Sequence, residues 1–136
     1  MDKQLTNRKL LSLKRCLDRI SLVLPASAQA LKNDVDAQDI ISINLQRAVQ
    51  LCVDLALMQI SQTDARVPDT MAGAFSSLNA DGLLSDQVAT SLTAAVGFRN
   101  ISVHQYDAVD WDIVFAICTK HLGDLTEFAR IIDARS

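Results

Sequence analysis

Residues 36–61, DAQDIISINLQRAVQLCVDLALMQIS, decide how the chain folds. Asp36 is a candidate N-cap, and the segment reads as one helix to about Ser61, roughly 38 Å long at 1.5 Å per residue. Ile40, Ile41, Ile43, Leu45, Val49, Leu51, Cys52, Val53, Leu55, Leu57, Met58 and Ile60 cover most of its circumference. A helix apolar nearly all round is either central or covered on a second face by another subunit. Its remaining polar residues are partly grouped, with Asn44, Arg47, Gln50 and Asp54 falling within about a third of the wheel. They suit the lining of a polar cleft and, equally, an ordinary exposed edge.

Helical periodicity continues on both sides. Upstream, Leu10, Leu13, Leu17, Ile20 and Leu24 form one stripe that Pro25 ends, and residues 26–35 read as a polar connection. Downstream, a loop over residues 62–69 leads to a short helix from Thr70 carrying Met71, Phe75 and Leu78, closed by the turn Asn79-Ala80-Asp81-Gly82. Ser85 caps a fourth helix that turns Val88, Leu92, Ala95 and Val96 inward. The last helix opens at Asp107 or Asp110 and carries Val114, Ile117, Leu125, Phe128 and Ile132, with Trp111 as core near its start. No segment alternates as a strand would. The expectation is an all-α, bundle-like domain of about five helices spanning residues 1–136.

Composition narrows the function. With 136 residues, 49% hydrophobic and 21% charged, the chain fits one domain and is not disordered. A net charge of −3 excludes gripping nucleic acid by bulk charge. The basic residues are uneven, however: Lys3, Arg8, Lys9, Lys14, Arg15 and Arg19 crowd the first helix. That face suits contact with RNA or simple solvation. Cys16, Cys52 and Cys118 are odd in number, far apart and set among aliphatic residues, so they read as buried reduced thiols and give no metal site. No apolar run looks long and uncharged enough for a membrane span, and no signal peptide is visible, so the expected location is cytoplasmic.

Polar chemistry concentrates at residues 97–107, GFRNISVHQYD. On an ideal helix Arg99 and His104 lie about 140° apart around the axis, whereas Asn100 and His104, four residues apart, share a face. A bend near Ser102 to Tyr106 would bring Arg99 round to join them. Cation, amide and imidazole are the groups that metal-free RNA cleavage uses. The other histidine, His121, beside the apolar stripe of the last helix, reads as a packing residue. The Tyr106 phenol, taken alone, reads as a packed ring with a hydrogen-bonded hydroxyl.

The segment Arg99-Asn100-x-x-x-His104, preceded by Gly97-Phe98 and extended as His104-Gln105-Tyr106, resembles the signature of the HEPN domains and the His-x-Tyr form of their HepT branch. The resemblance covers essentially the whole chain. It implies a homodimer in which two copies of the motif face each other across a cleft. It further implies a metal-independent RNA endonuclease acting on tRNA or mRNA, the toxin of a type VII toxin-antitoxin system, with Arg99, Asn100 and His104 as its catalytic residues. Its partner would be an MntA-like nucleotidyltransferase antitoxin that attaches AMP to Tyr106. The alternative is a catalytically silent HEPN subunit that binds a nucleotide or serves as scaffold for a nucleotidyltransferase. The intact imidazole favours the nuclease, since a binder needs only the cation.

Overall fold

The computed structural model describes residues 2–136. Helix α1, Lys3–Val23, starts where the Asp2 carboxylate accepts the Leu5 N–H (3.1 Å) and stops ahead of Pro25. Its buried stripe is Leu13, Cys16, Leu17 and Ile20. The expected polar connection contains a short helix, α2, Ala28–Lys32. Ser27 caps α2 through the Ala30 N–H, Leu31 is fully buried, and the Gln38 amide donates to the Leu31 and Lys32 carbonyls that the short helix leaves open. Because α2 ends at Lys32, the chain re-enters helix earlier than expected. Asp34, not Asp36, caps α3, accepting the Ala37 N–H at 3.0 Å, and Asp36 lies in the first turn, where its charge suits the helix dipole.

Helix α3, Val35–Ile60, is the central element and packs against α1, α2 and three of the four helices that follow it. Helix α4, Met71–Ala80, is capped by Thr70; Gly82, at φ +80°, takes the left-handed turn between it and α5, Asp86–His104, which Ser85 caps. A 3₁₀ turn at Tyr106–Ala108 leads to α6, Trp111–Ala116, capped by Asp110. A π turn at Ile117–His121 joins α6 to α7, Leu122–Arg135. The five long helical stretches are those the periodicity predicts, with α6, the π turn and α7 forming the last. No strand occurs among the described residues.

One contiguous core fills the centre, and Phe75 of α4 meets Phe128 of α7 edge to face at 5.8 Å between ring centroids. Val88, Leu92, Ala95 and Val96 of α5 and Val114, Ile117, Leu125, Phe128 and Ile132 of the last stretch are all buried. By length and composition α3 would suffice to cross a membrane, contrary to the reading of its apolar run; here 56% of its most apolar 18-residue window is buried inside the bundle. Cys16, Cys52 and Cys118 are buried and unpaired, and burial raises the Cys118 thiol to about 12.

Candidate active site

The polar segment forms the last turns of α5 and the 3₁₀ turn beyond. Three hydrogen bonds tie it to one side of α3. The Tyr106 hydroxyl donates to Asp39 Oδ1 at 2.9 Å, the Gln46 amide donates to the buried Ser102 hydroxyl at 2.6 Å, and Arg99 Nη2 donates to Gln50 Oε1 at 3.4 Å. Positions 39, 46 and 50 are seven and four residues apart and therefore stack along one helical stripe. Ser42, on the same side, has a buried hydroxyl with no hydrogen-bond partner among the described residues.

Arg99 is half-buried between α3 and α4. Besides Gln50 it reaches only the Met71 thioether sulfur, at 3.7 Å from Nη1, and no carboxylate pairs with it among the described residues. A guanidinium with only weak neutral partners keeps its fork of donors available for an anion. Asn100 and His104 are exposed. The bend that would bring Arg99 to them does not occur: α5 stays regular through His104, and the Gln105 N–H still reaches the Ile101 carbonyl at 2.7 Å. Within one chain Arg99 therefore faces inward to α3 and α4, and His104 faces solvent at the helix end.

Tyr106 is 42% exposed, and its ring meets Trp111 edge-on, with centroids 6.0 Å apart. Trp111 lies at the rim of the core, half-buried, rather than within it. Partial burial, and then the hydrogen bond to Asp39, push the phenol above its ordinary pKa.

The grouped polar residues of α3 divide. Asn44 is 2% exposed and donates to the Ile40 carbonyl, yet it lines a groove of about 440 Å³ between α1 and α3 together with Arg47 and Gln50. Asp54 lies outside that lining and is held by the Lys9 ammonium (3.0 Å) and the Gln50 amide (2.9 Å). His121 is partly buried, its Nδ1 2.8 Å from the buried Ser91 hydroxyl, as expected of a packing residue. The sequence reading missed Asp39, Gln46 and Ser102. Their register along α3 and α5 was the available signal, but which α3 face meets α5 is decided by packing.

Residues 13–132 match the family model described as Ribonuclease HepT-like. The chain is 33% identical to the mRNA nuclease HepT of Shewanella oneidensis over 93% of its own length and 94% of that protein. It superposes with a TM-score of 0.88 on a tri-AMPylated Shewanella oneidensis HEPN toxin solved in complex with MNT antitoxin, with 31% identity over 98% of this chain and 99% of the toxin. A toxin-antitoxin crystal structure with AMP-PNP gives 0.86 and 30%, over 97% and 99%. Similarity of this extent, in sequence and in fold together, makes the chain a member of the HepT-like ribonuclease family of HEPN proteins.

Proposed function

We propose that the chain is a metal-independent RNA endonuclease, the toxin of a toxin-antitoxin pair, and that Arg99, Asn100 and His104 carry its reaction. The observation that carries this reading is the contrast within one motif. Arg99 is anchored by weak neutral contacts, and His104 stands open to solvent at the end of the same helix. Cleavage by the ribose 2′-hydroxyl needs a base for that hydroxyl, an acid for the departing 5′-oxygen and positive charge on the phosphorane between them. Histidine suits either proton role near neutral pH. Arg99 supplies the fixed charge, and Asn100 orients substrate from the His104 face.

One chain offers one such histidine. Ile40 and Ile43 on α3 and Ile101 and Val103 on α5 are 38–46% exposed; Ile40 adjoins Asp39 in sequence, and Ile101 and Val103 flank Ser102. Apolar exposure of this kind beside a polar site suits cover by a second copy. A homodimer then sets His104 of both subunits across one cleft, one as base and the other as acid. The mRNA-nuclease name of the Shewanella relative supports mRNA as substrate, and the cytoplasm as the place of action.

Tyr106 is the residue through which an MntA-like nucleotidyltransferase silences the enzyme. Transfer of AMP from ATP to its oxygen, with pyrophosphate leaving from the α-phosphorus, removes the proton now donated to Asp39 and sets a phosphodiester charge beside that carboxylate. Repulsion turns the adduct away from α3, into the space where substrate phosphate binds. The AMPylated toxin solved with its MNT antitoxin supports this control.

The test is cleavage of RNA by purified protein in the presence of chelator. The expected products carry a cyclic phosphate and a free 5′-hydroxyl; a metal requirement or a 5′-phosphate product contradicts the mechanism. Co-expression with the cognate nucleotidyltransferase should add whole AMP units to Tyr106 and abolish cleavage, and an unchanged mass would contradict the control.

A further inference from the structure

The groove between α1 and α3 has no part in the chemistry described so far, yet its lining is unusual for a chain of net charge −3. Arg15 and Arg19 of α1 and Arg47 of α3 converge on it with Ser12, Asn44 and Gln50, and no acidic side chain lines it. None of the three arginines is paired with a carboxylate among the described residues, although Lys9 and Lys14 of the same α1 are paired with Asp54 and Asp18. Burial raises the pKa of the Cys16 thiol, which also lines the groove, and the guanidiniums of Arg47, Arg19 and Arg15 partly offset that rise. Like charges gathered without counterions disfavour the folded state, so such a cluster calls for an anionic ligand.

The groove also leads to the reaction centre. Gln50 lines it and at the same time accepts the hydrogen bond from Arg99. A strand held by the groove would therefore meet Gln50, the side chain that holds Arg99. The volume, about 440 Å³, is at the lower end of the range for ligand sites, and its open, charged form suits a backbone more than an enclosed small molecule.

We propose that Arg15, Arg19 and Arg47 form a phosphate track that holds the RNA backbone next to the scissile bond and feeds it to Arg99; the identity of the ligand as RNA rests on the nuclease reading. The groove acts on binding alone. It raises affinity for long RNA and contributes nothing to the bond-making step at a minimal dinucleotide.

The experiment uses full-length protein in a His104→Ala background, so that binding is read without cleavage. Affinity for a fluorescent single-stranded RNA is measured across a salt series, with and without Arg15→Gln, Arg19→Gln and Arg47→Gln together. Each lost phosphate contact should lower the log–log salt slope by about 0.7, so the triple variant should lose about 2 in slope and bind at least about tenfold more weakly. Lys120→Gln with Arg135→Gln removes two cations outside the groove and serves as the control for bulk charge. Unchanged affinity and slope in the triple variant, or an equal loss per charge in the control, would overturn the track. So would a change in oligomeric mass accompanying the loss, which would assign the arginines to a subunit interface. In the cleavage-competent protein, the triple variant should raise KM for long RNA. If the unmutated protein cleaves no RNA, the nuclease reading fails, while the binding series still decides the groove.

Discussion

The two histidines of this chain occupy opposite kinds of site, one tied to neighbouring helices and one open to solvent. His121 sits where α5 meets the π turn and α7, 2.8 Å from Ser91 Oγ, with Asp124 3.9 Å away. Serine, histidine and aspartate together suggest a nucleophilic triad, but the order is wrong. In a triad the imidazole stands between hydroxyl and carboxylate. Here the hydroxyl stands between, giving its one proton to Asp124 at 2.5 Å, so that Nδ1 must donate to the serine oxygen. Gln87 occupies the other Asp124 oxygen, and Ser91 is only 1% exposed. The cluster's hydrogen bonds are spent on joining α5 to α7. At the far end of α5, His104 has no hydrogen-bond partner among the described residues and lies open to solvent, while Arg99 of the same helix, turned inward, meets no carboxylate among them. A polar group whose bonds are already made holds the fold, and one whose bonds are open is available to substrate.

The largest effect expected from this contrast is at Arg99. Arg99→Ala should lower RNA cleavage by about 10²–10³-fold, the scale for removing a donor that meets developing charge, with helix content and thermal midpoint unchanged. Cleavage within a few fold of the unmutated protein would place the charge-stabilising group elsewhere. Next comes the structural cluster. Ser91→Ala leaves Asp124 and Nδ1 without their shared partner and should cost about 1–3 kcal/mol in denaturant unfolding, with the cleavage rate of the folded protein retained. A fall in rate without a fall in stability would give the cluster a chemical role.

A smaller effect concerns Tyr106, the only tyrosine in the sequence, so that phenolate absorbance reports it alone. It should titrate above the ordinary value of about 10. Asp39→Asn should bring the midpoint part of the way back, because burial, the larger cause, remains. The sign for stability follows from the raised folded pKa. The phenol's contribution is fully present below the unfolded pKa and is lost as pH rises through the folded one, so the loss should begin near pH 10 and be smaller in Asp39→Asn. A midpoint unmoved by Asp39→Asn would show that the hydrogen bond does not hold the phenol in solution.

Much of this architecture was legible because helices announce themselves locally. The stripes ending at Pro25, the Ser85 cap and the inward residues of α5 depend on neighbours within a few turns, and all stand as read. The start of α3 was misplaced because Asp34 and Asp36 are equally good caps, and the choice depends on where α2 stops. The site was legible in its residue types but not in its arrangement. The 140° separation of Arg99 and His104 followed from helix geometry, while the absence of a bend, and the Asp39, Gln46 and Gln50 contacts that hold the segment, follow from how α5 lies on α3.

The central claim of the proposed mechanism is that His104 does the chemistry and His121 does not. It is tested most directly by single-turnover RNA cleavage with purified His104→Ala and His121→Ala, each assayed below its own thermal midpoint. The account predicts a loss of about 10²–10⁴-fold for His104→Ala with stability changed by less than about 0.5 kcal/mol, and near-normal cleavage by a less stable His121→Ala. Cleavage retained in His104→Ala, or abolished in a folded His121→Ala, would contradict it.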